Sequence, residues 1–192
     1  MKIMNHEGQR DTTHKEPSKE LKEFLINEGE GNIVGLMDIV YQMVVHENFK
    51  NILELGTGRG VSTRVFGEAT RITAGNIVTV DLIDYGNFTP TNVHFIKCNT
   101  NDTKPIINKL KELNMLPLDC LLIDADHTKH AIMQDIENWG NLVRKGGIIF
   151  MHDVCLIDNE CEAYIVWNEY DFSEYEKLTL PWSNGLGVLR KK

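Results

Sequence analysis

A glycine-rich turn between a short apolar strand and a helix is the feature of this 192-residue chain that most restricts its fold. The apolar run NILEL begins at Asn51, and Gly56, Gly58 and Gly60 follow it at alternate positions. Glycine adopts backbone angles closed to residues with a Cβ, and it lets a ligand lie against the main chain where a helix N-terminus presents unpaired N–H groups. The segment therefore predicts a nucleotide-binding turn of an α/β sheet.

The acid before the turn indicates which ligand it takes. The pattern is Glu54-x-Gly56-x-Gly58-x-Gly60, whereas a dinucleotide fingerprint reads G-x-G-x-x-G and places a pyrophosphate on the helix dipole. A carboxylate beside the turn suits a cationic ammonium or sulfonium better than a phosphate, which counts against the alternative of a nucleotide-dependent oxidoreductase. The pattern resembles motif I of class I S-adenosylmethionine-dependent methyltransferases.

The next strand ends in an acid that fits the same interpretation. The β-branched run Ile77–Val80 is followed by Asp81, roughly 20 residues beyond the last glycine, where an acid can accept both hydroxyls of an adenosine ribose. A helix cap is the alternative role for such an aspartate. Its spacing from the glycine turn favours the ribose.

Strand-like and helix-like segments alternate along the chain, which predicts a Rossmann-like doubly wound α/β sheet, mostly parallel, with helices on both faces. The predicted strands are Ile52–Leu55, Ile77–Val80, Val93–Ile96, Cys120–Ile123 and Ile148–Met151, and the predicted helices after the glycine turn are Ser62–Ala69, Lys104–Leu113, Lys129–Leu142 and Glu160–Tyr170. Tyr175–Leu180 and Leu186–Arg190 flank the turn Pro181–Gly185 and predict an antiparallel pair. The last strand is therefore expected to be reversed.

Composition predicts one enzyme domain. Residues 1–18 are polar and without periodicity, which indicates a loose N-terminal arm or a lid, and residues 19–192 form a single domain. The net charge of −8 argues against a nucleic-acid surface. The four cysteines lack C-x-x-C spacing, and the chain has no continuous apolar segment of signal or membrane length, so a cytoplasmic protein with reduced thiols is expected.

Two polar clusters follow sequence-adjacent strands. Asp124 comes directly after the fourth strand with His127 three residues later, and His152 and Asp153 come after the fifth. Ligands bind at the carboxyl ends of parallel strands, so Asp124, His152 and Asp153 are expected to lie within ligand distance of one cation, Mg²⁺ or Mn²⁺. The alternative is that the acids cap helices and His152 only packs.

The order of these motifs narrows the resemblance. The run from Asp124 to Thr128, a helix ending in Trp139, and the run Leu142–Val154 are similar to small class I methyltransferases related to macrolide-sugar O-methyltransferases and cephalosporin hydroxylases. They also resemble catechol and caffeoyl-coenzyme A O-methyltransferases. The resemblance extends from about Asn32 to Val154.

The resemblance implies a metal site and a base. In the metal-dependent relatives an aspartate after the fourth strand and an acidic or amide pair after the fifth hold Mg²⁺, and the matching positions here are Asp124, His152 and Asp153. An imidazole is a poor magnesium ligand, so either a softer metal is used or His152 has another role. The histidine three residues after the metal aspartate serves as base in the sugar O-methyltransferases, and it matches His127.

The resemblance also implies a site for S-adenosylmethionine. Its expected members are Glu54, Gly56, Thr57, Gly58, Asp81, Leu82, Asn99 and Asp124. Glu54 is expected to face the methionine ammonium, Asp81 the ribose, and Asn99 the adenine, with Asp102 as the alternative to Asn99.

The sequence therefore predicts an S-adenosylmethionine-dependent methyltransferase acting on a small-molecule hydroxyl, with Asp124 and His127 as its catalytic residues. Metal coordination lowers the pKa of a hydroxyl, and a histidine takes its proton. A cofactor-binding accessory or regulatory protein, or a hydroxylase-like member of the fold, is the alternative. The expected partner is a small molecule, with no nucleic acid or membrane, and the protein is expected to pair as a homodimer.

Overall fold

A seven-stranded sheet organises the protein in the computed structural model, which describes residues 15–27, 34–86 and 91–192. The strands are β1 (Asn51–Leu55), β2 (Asn76–Asp81), β3 (Val93–Lys97), β4 (Leu118–Ile123), β5 (Val143–His152), β6 (Tyr175–Leu180) and β7 (Leu186–Lys191). Their order across the sheet is β3-β2-β1-β4-β5-β7-β6. The order reverses beside β1, which is the switch point where doubly wound sheets bind ligands.

Helices cover both faces of this sheet. They are α1 (Lys19–Asn27), α2 (Met37–His46), α3 (Val61–Thr73), α4 (Thr103–Glu112), α5 (Lys129–Trp139) and α6 (Ala163–Glu169). The first three contribute to one hydrophobic core, and the last three to the other. None of the helices in the described part of the chain has the length and apolarity needed to cross a bilayer.

Successive side chains of the central strands point to opposite faces of the sheet and so contribute to both hydrophobic cores. In β1 the side chain of Ile52 packs among α2 and α3, while Leu53 and Leu55 pack on the opposite side with α4 and α5. Such strands are apolar on both faces, as parallel strands covered by two helical layers must be. The predicted doubly wound α/β fold is confirmed.

The last strand runs against the others, as predicted. β7 lies between β5 and β6 and pairs antiparallel with both. The connecting loop, residues 181–185, returns to the carboxyl end of β5, where the Cys155 N–H donates to the Asn184 carbonyl at 2.8 Å. The reversed hairpin thereby adds a wall to the edge where the polar residues collect.

Some element ends differ from the prediction. The predicted helix from Glu160 begins instead at Ala163, because Asp158 and Cys161 form an isolated β-bridge and the Glu162 carboxylate accepts the Lys129 N–H at 2.6 Å. β5 begins at Val143 rather than at Ile148, because it pairs with Leu118 across a register shift. Neither interaction leaves a periodic signal in the sequence.

The predicted N-terminal arm falls only partly within the described residues. Residues 1–14 lie outside them. In the described remainder, the Ser18 hydroxyl donates to the Glu68 carboxylate of α3 at 2.6 Å, and the Tyr41 hydroxyl of α2 donates to the Glu16 carbonyl at 3.4 Å. These bonds attach the start of α1 to the α2–α3 layer.

A buried acid on α5 destabilises the fold at neutral pH. Asp135 is fully buried, and within the described residues neither carboxylate oxygen has a hydrogen bond. Burial raises the pKa of Asp135 to about 6. The folded state therefore holds this proton to a higher pH than the unfolded state does. The free energy of unfolding falls as the pH rises from the ordinary aspartate pKa of 3.8 to the folded-state pKa of about 6.

We expect Asp135→Asn to raise the free energy of unfolding by about 1–3 kcal/mol at pH 8 and to change it little near pH 3, where the carboxyl is mostly protonated in both states. Urea unfolding across this pH range measures the difference. Glu137→Gln, at an exposed acid on the same helix, is the matched control. A gain for Asp135→Asn that does not depend on pH would contradict the explanation.

Candidate active site

The glycine turn joins β1 to α3 in conformations that favour glycine. Gly56 and Gly58 have φ angles of +93° and +48°. A Cβ on Gly56 would lie 1.9 Å from the carbonyl oxygen of Asp124, whereas a Cβ on Gly58 would meet nothing within 4 Å. Gly56 therefore allows the ends of β1 and β4 to approach each other, and Gly58 faces open space.

That open space is a cavity of about 360 Å³ at the carboxyl ends of β1, β2 and β4. Of the predicted cofactor residues, those that line it are Gly56, Gly58, Asp81, Leu82, Asn99 and Asp124. Thr57 is buried, with its hydroxyl 2.6 Å from that of Thr79. Asp102, the alternative to Asn99, is not part of the lining and occupies the N-cap position of α4.

Asp81 connects the end of β2 to the glycine turn. One carboxylate oxygen accepts the Gly58 N–H at 2.9 Å, and the other accepts the Ile83 N–H at 2.9 Å. An ionised carboxylate has about four acceptor sites, so both oxygens can still accept ligand hydroxyls. The aspartate is thus held rigidly at the cavity wall with acceptor capacity to spare.

Glu54 lies beneath the turn with one oxygen unpaired. The residue is fully buried, and Oε2 accepts the Thr63 hydroxyl at 2.6 Å. Oε1 is buried without a hydrogen bond to any described residue. Burial raises the pKa of Glu54 to about 7. A buried carboxylate with an unpaired oxygen fits a cationic ligand group, which would supply the missing interaction.

Asp124 joins the cavity to a second polar cluster. Its Oδ1 lies 3.3 Å from His127 Nε2 and 3.2 Å from His152 Nδ1. Burial by itself would raise the pKa of Asp124, but the two imidazoles outweigh burial and lower it. The hydrogen bond to Asp124 in turn raises the pKa of His127.

His152 is held at both ring nitrogens. Nε2 lies 3.2 Å from the carbonyl oxygen of Ser183 in the β6–β7 loop, and Nδ1 lies 3.2 Å from Asp124 and 3.4 Å from Asp153 Oδ1. Because a carbonyl only accepts, Nε2 carries a proton. Burial would lower the pKa of His152, but the neighbouring Asp124 and Asp153 carboxylates and the Ser183 carbonyl raise it to about 9.

Asp153 completes the cluster in a strained conformation. Its φ angle is +59°, and its side chain is buried. Oδ2 lies 3.6 Å from His127 Nδ1, while Oδ1 has no hydrogen bond to a described residue. Left-handed aspartates are uncommon, and such strain concentrates at functional sites.

The structure adds two residues that sequence reasoning did not place here. Cys161 offers a thiol that, with one donor atom each from His127 and Asp153, forms a group within 4.8 Å. Ser183 contributes its backbone carbonyl to His152. Cys161 comes eight residues after Asp153 without forming a metal-binding sequence motif, and a backbone carbonyl leaves no residue-type signal, so neither contact could be predicted from a pattern.

Comparison with known proteins identifies the family. The sequence profile described as a methyltransferase domain matches residues 53–154, more than half of the chain, including the glycine turn and Asp153. No curated protein matches the chain at the sequence level.

Solved structures of similar fold include several methyltransferases. An O-methyltransferase from Bacillus cereus in complex with S-adenosylhomocysteine (SAH) is 17% identical, with a TM-score of 0.61, and the match covers 92% of each chain. The SAH-bound methyltransferase PaMTH1 from Podospora anserina is 20% identical, with a TM-score of 0.62, and the match covers 94% of this chain and 91% of that one.

MycE, from the mycinamycin biosynthetic pathway, has a similar fold but is a longer protein. It was solved with Mg, SAH and mycinamycin VI, and it is 15% identical with a TM-score of 0.62. The match covers 90% of this chain and 53% of MycE, so this chain spans about half of that protein. Because the domain profile spans the very strands and turns that build the cavity, the chain belongs to the methyltransferase-domain family and is a class I S-adenosylmethionine-dependent methyltransferase.

Proposed function

We propose that this enzyme methylates a hydroxyl group of a small molecule, with the assistance of a divalent metal. Asp124 is the main support for this proposal, because it lines the cavity and also contacts the imidazoles of His127 and His152. A methyl donor bound in the cavity and an acceptor bound at the cluster would therefore meet at this carboxylate.

The cofactor fits the cavity by charge and shape. Asp81 offers acceptors to the ribose, and the open backbone at Gly58 leaves room for the methionine chain. Glu54 is not part of the cavity lining, and its unpaired Oε1 is proposed to attract the methionine ammonium from beneath the turn. Leu82 and Asn99, on the same cavity, are proposed to contact the adenine. The SAH-bound structures of similar fold support the choice of cofactor.

The chemistry requires positioning and a deprotonated nucleophile. Methyl transfer is an in-line displacement in which the acceptor oxygen attacks the sulfonium methyl carbon and the thioether leaves. His127, which is half-buried between Asp124 and Asp153, is proposed to take the hydroxyl proton. A divalent cation held by Asp124, His152 and Asp153 would lower the pKa of that hydroxyl.

The walls of the cluster suit an acceptor with an apolar face. Trp182, next to Ser183, is 61% exposed, and Ile157 in the β5–α6 loop is 80% exposed. The two loops are hydrogen-bonded to each other beside His152. We propose that they form the rim of the acceptor site. We also propose that the enzyme works in the cytoplasm, because Cys120 and Cys161 are buried free thiols, as is usual in a reducing compartment.

Glu54 gives cofactor binding a defined pH dependence. Its pKa of about 7 means that the carboxyl carries a proton in the free protein at lower pH, whereas the bound ammonium requires the ionised form. We expect SAH binding near pH 6 to release about one proton more than binding near pH 8. Calorimetry in two buffers of different ionisation enthalpy measures this release. Glu54→Gln should bind SAH more weakly without the extra release, and an equal release from both proteins would contradict the assignment.

The proposed function is tested with hydroxylated acceptors. The full chain is incubated with S-adenosylmethionine and a panel of sugars, polyketide-derived alcohols and catechols, and products are located by mass spectrometry and NMR. The proposal predicts an O-linked methyl group on one class and SAH formation that depends on the acceptor. Methyl groups found exclusively on nitrogen or carbon would overturn it.

A further inference from the structure

We propose that the centre formed by Asp124, His152 and Asp153 selects a nitrogen-accepting transition metal, of the Zn²⁺, Co²⁺ or Fe²⁺ class, over Mg²⁺. This inference rests on the metal site of the proposed function and specifies which ions it accepts. The selecting residue is His152.

The spacing of the three donor atoms fits a single ion. His152 Nδ1 lies 3.2 Å from Asp124 Oδ1 and 3.4 Å from Asp153 Oδ1. Ligand atoms at about 2.1 Å from one metal are separated by about 3.0 Å in octahedral and about 3.4 Å in tetrahedral geometry. The two separations that involve His152 are thus already coordination distances, and all three donor atoms lie within 4.8 Å of one another.

The Ser183 carbonyl sets the tautomer of His152. Because it accepts the proton of Nε2, Nδ1 is the nitrogen that would coordinate, with the metal taking the place of the Nδ1 proton. A metal-bound histidine characteristically donates its other N–H to a carbonyl or carboxylate, which fixes the ring and raises its basicity. The β6–β7 loop therefore supplies the outer contact that a histidine ligand needs.

The unpaired Oδ1 of Asp153 indicates that a metal ion, rather than a proton, belongs between Asp124, His152 and Asp153. Asp153 is 4% exposed, and its Oδ1 has no hydrogen bond within the described residues although His152 Nδ1 is 3.4 Å away. A proton on Nδ1 points toward Asp124 and leaves Asp153 Oδ1 unsatisfied. A dication held by these three atoms would neutralise both carboxylates, of which Asp153 is buried and Asp124 partly buried.

The donor set then decides between ions. Mg²⁺ prefers oxygen ligands in near-ideal octahedral geometry, whereas imidazole suits zinc, iron and similar ions. An acid at position 152 would give an all-oxygen site. The histidine makes that site poorer for Mg²⁺ and better for borderline metals.

The test uses binding, not turnover, as its readout. The full chain is stripped with chelator, dialysed, and titrated calorimetrically with MgCl₂ and with CoCl₂, while visible absorption follows the cobalt. We expect one Co²⁺ per chain, bound at least about 100-fold more tightly than Mg²⁺, and a ratio reduced by about 10-fold or more in His152→Asp. His130→Asp, at an exposed histidine on α5, should leave the ratio unchanged. If His152→Asp does not fold, as judged by circular dichroism, His152→Asn serves as the oxygen-donor variant.

Three results would overturn the assignment. The first is binding of Mg²⁺ by the unaltered protein as tight as that of Co²⁺ or tighter, and the second is an unchanged ratio of the two affinities in the folded His152 variant. The third is a sulfur-to-cobalt charge-transfer band that is lost in Cys161→Ser, which would place the ion on His127, Asp153 and Cys161 instead. Failure of the proposed function looks different: cobalt selectivity without methyl transfer to any hydroxyl keeps the metal assignment, whereas undiminished methyl transfer without metal keeps O-methylation and removes the metal's part in it.

Discussion

Replacing His127 with alanine is expected to lower kcat by roughly 10²–10⁴-fold while leaving the affinity for SAH nearly unchanged. His127 lies between Asp124 and Asp153, outside the lining of the cofactor cavity, so its loss removes a proton acceptor without removing a cofactor contact. Steady-state kinetics on an identified acceptor, together with calorimetric titration of SAH, measures both quantities.

His130→Ala is the matched control for this variant. His130 is an exposed histidine on α5, one helical turn beyond His127, and its replacement should leave kcat within about twofold. A His127→Ala enzyme that retains full kcat would transfer the role of base to another group of the cluster. A loss of kcat accompanied by an equal loss of SAH affinity would show that His127 acts on the cofactor.

Gly56→Ala is expected to lower the free energy of unfolding by about 2–4 kcal/mol. The added Cβ would lie 1.9 Å from the Asp124 carbonyl oxygen, and the φ of +93° is itself strained for alanine. The ends of β1 and β4 must then separate, which breaks the hydrogen bond from the Asp124 N–H to the Leu55 carbonyl, 2.9 Å long. Urea unfolding measures the loss.

Gly58→Ala separates backbone strain from steric clash. Gly58 also has a positive φ, of +48°, but a Cβ there meets no atom within 4 Å. Its replacement should lower the free energy of unfolding by only about 1–2 kcal/mol, although the methyl group intrudes on the cofactor cavity and should weaken SAH binding. Equal destabilisation by the two substitutions would contradict the role given to Gly56.

The sequence predicted the features that depend on local patterns. Short apolar runs and the turn at Pro181–Gly185 located all seven strands, and the spacing from the glycine turn to Asp81 placed that acid at the cavity. Adjacent parallel strands end at one edge of a sheet, and this geometry brings Asp124, His152 and Asp153 together.

Features that depend on long-range packing were beyond the sequence. Whether Glu54 lies in the cavity or beneath the turn depends on how α3 closes over β1, and only the fold shows its unpaired oxygen. Cys161 reaches His127 because residues 158–161 form a β-bridge before α6 begins. Asp135 resembles an exposed polar residue of an amphipathic helix until the packing of α5 is known.

Calorimetric titration with SAH and with NAD⁺ decides whether the cavity beside the glycine turn binds a sulfur nucleotide. We expect SAH to bind at one site per chain, NAD⁺ to show no comparable binding, and Asp81→Ala to lose about 1–3 kcal/mol of SAH binding free energy. Binding of NAD⁺ without measurable binding of SAH or S-adenosylmethionine would contradict it.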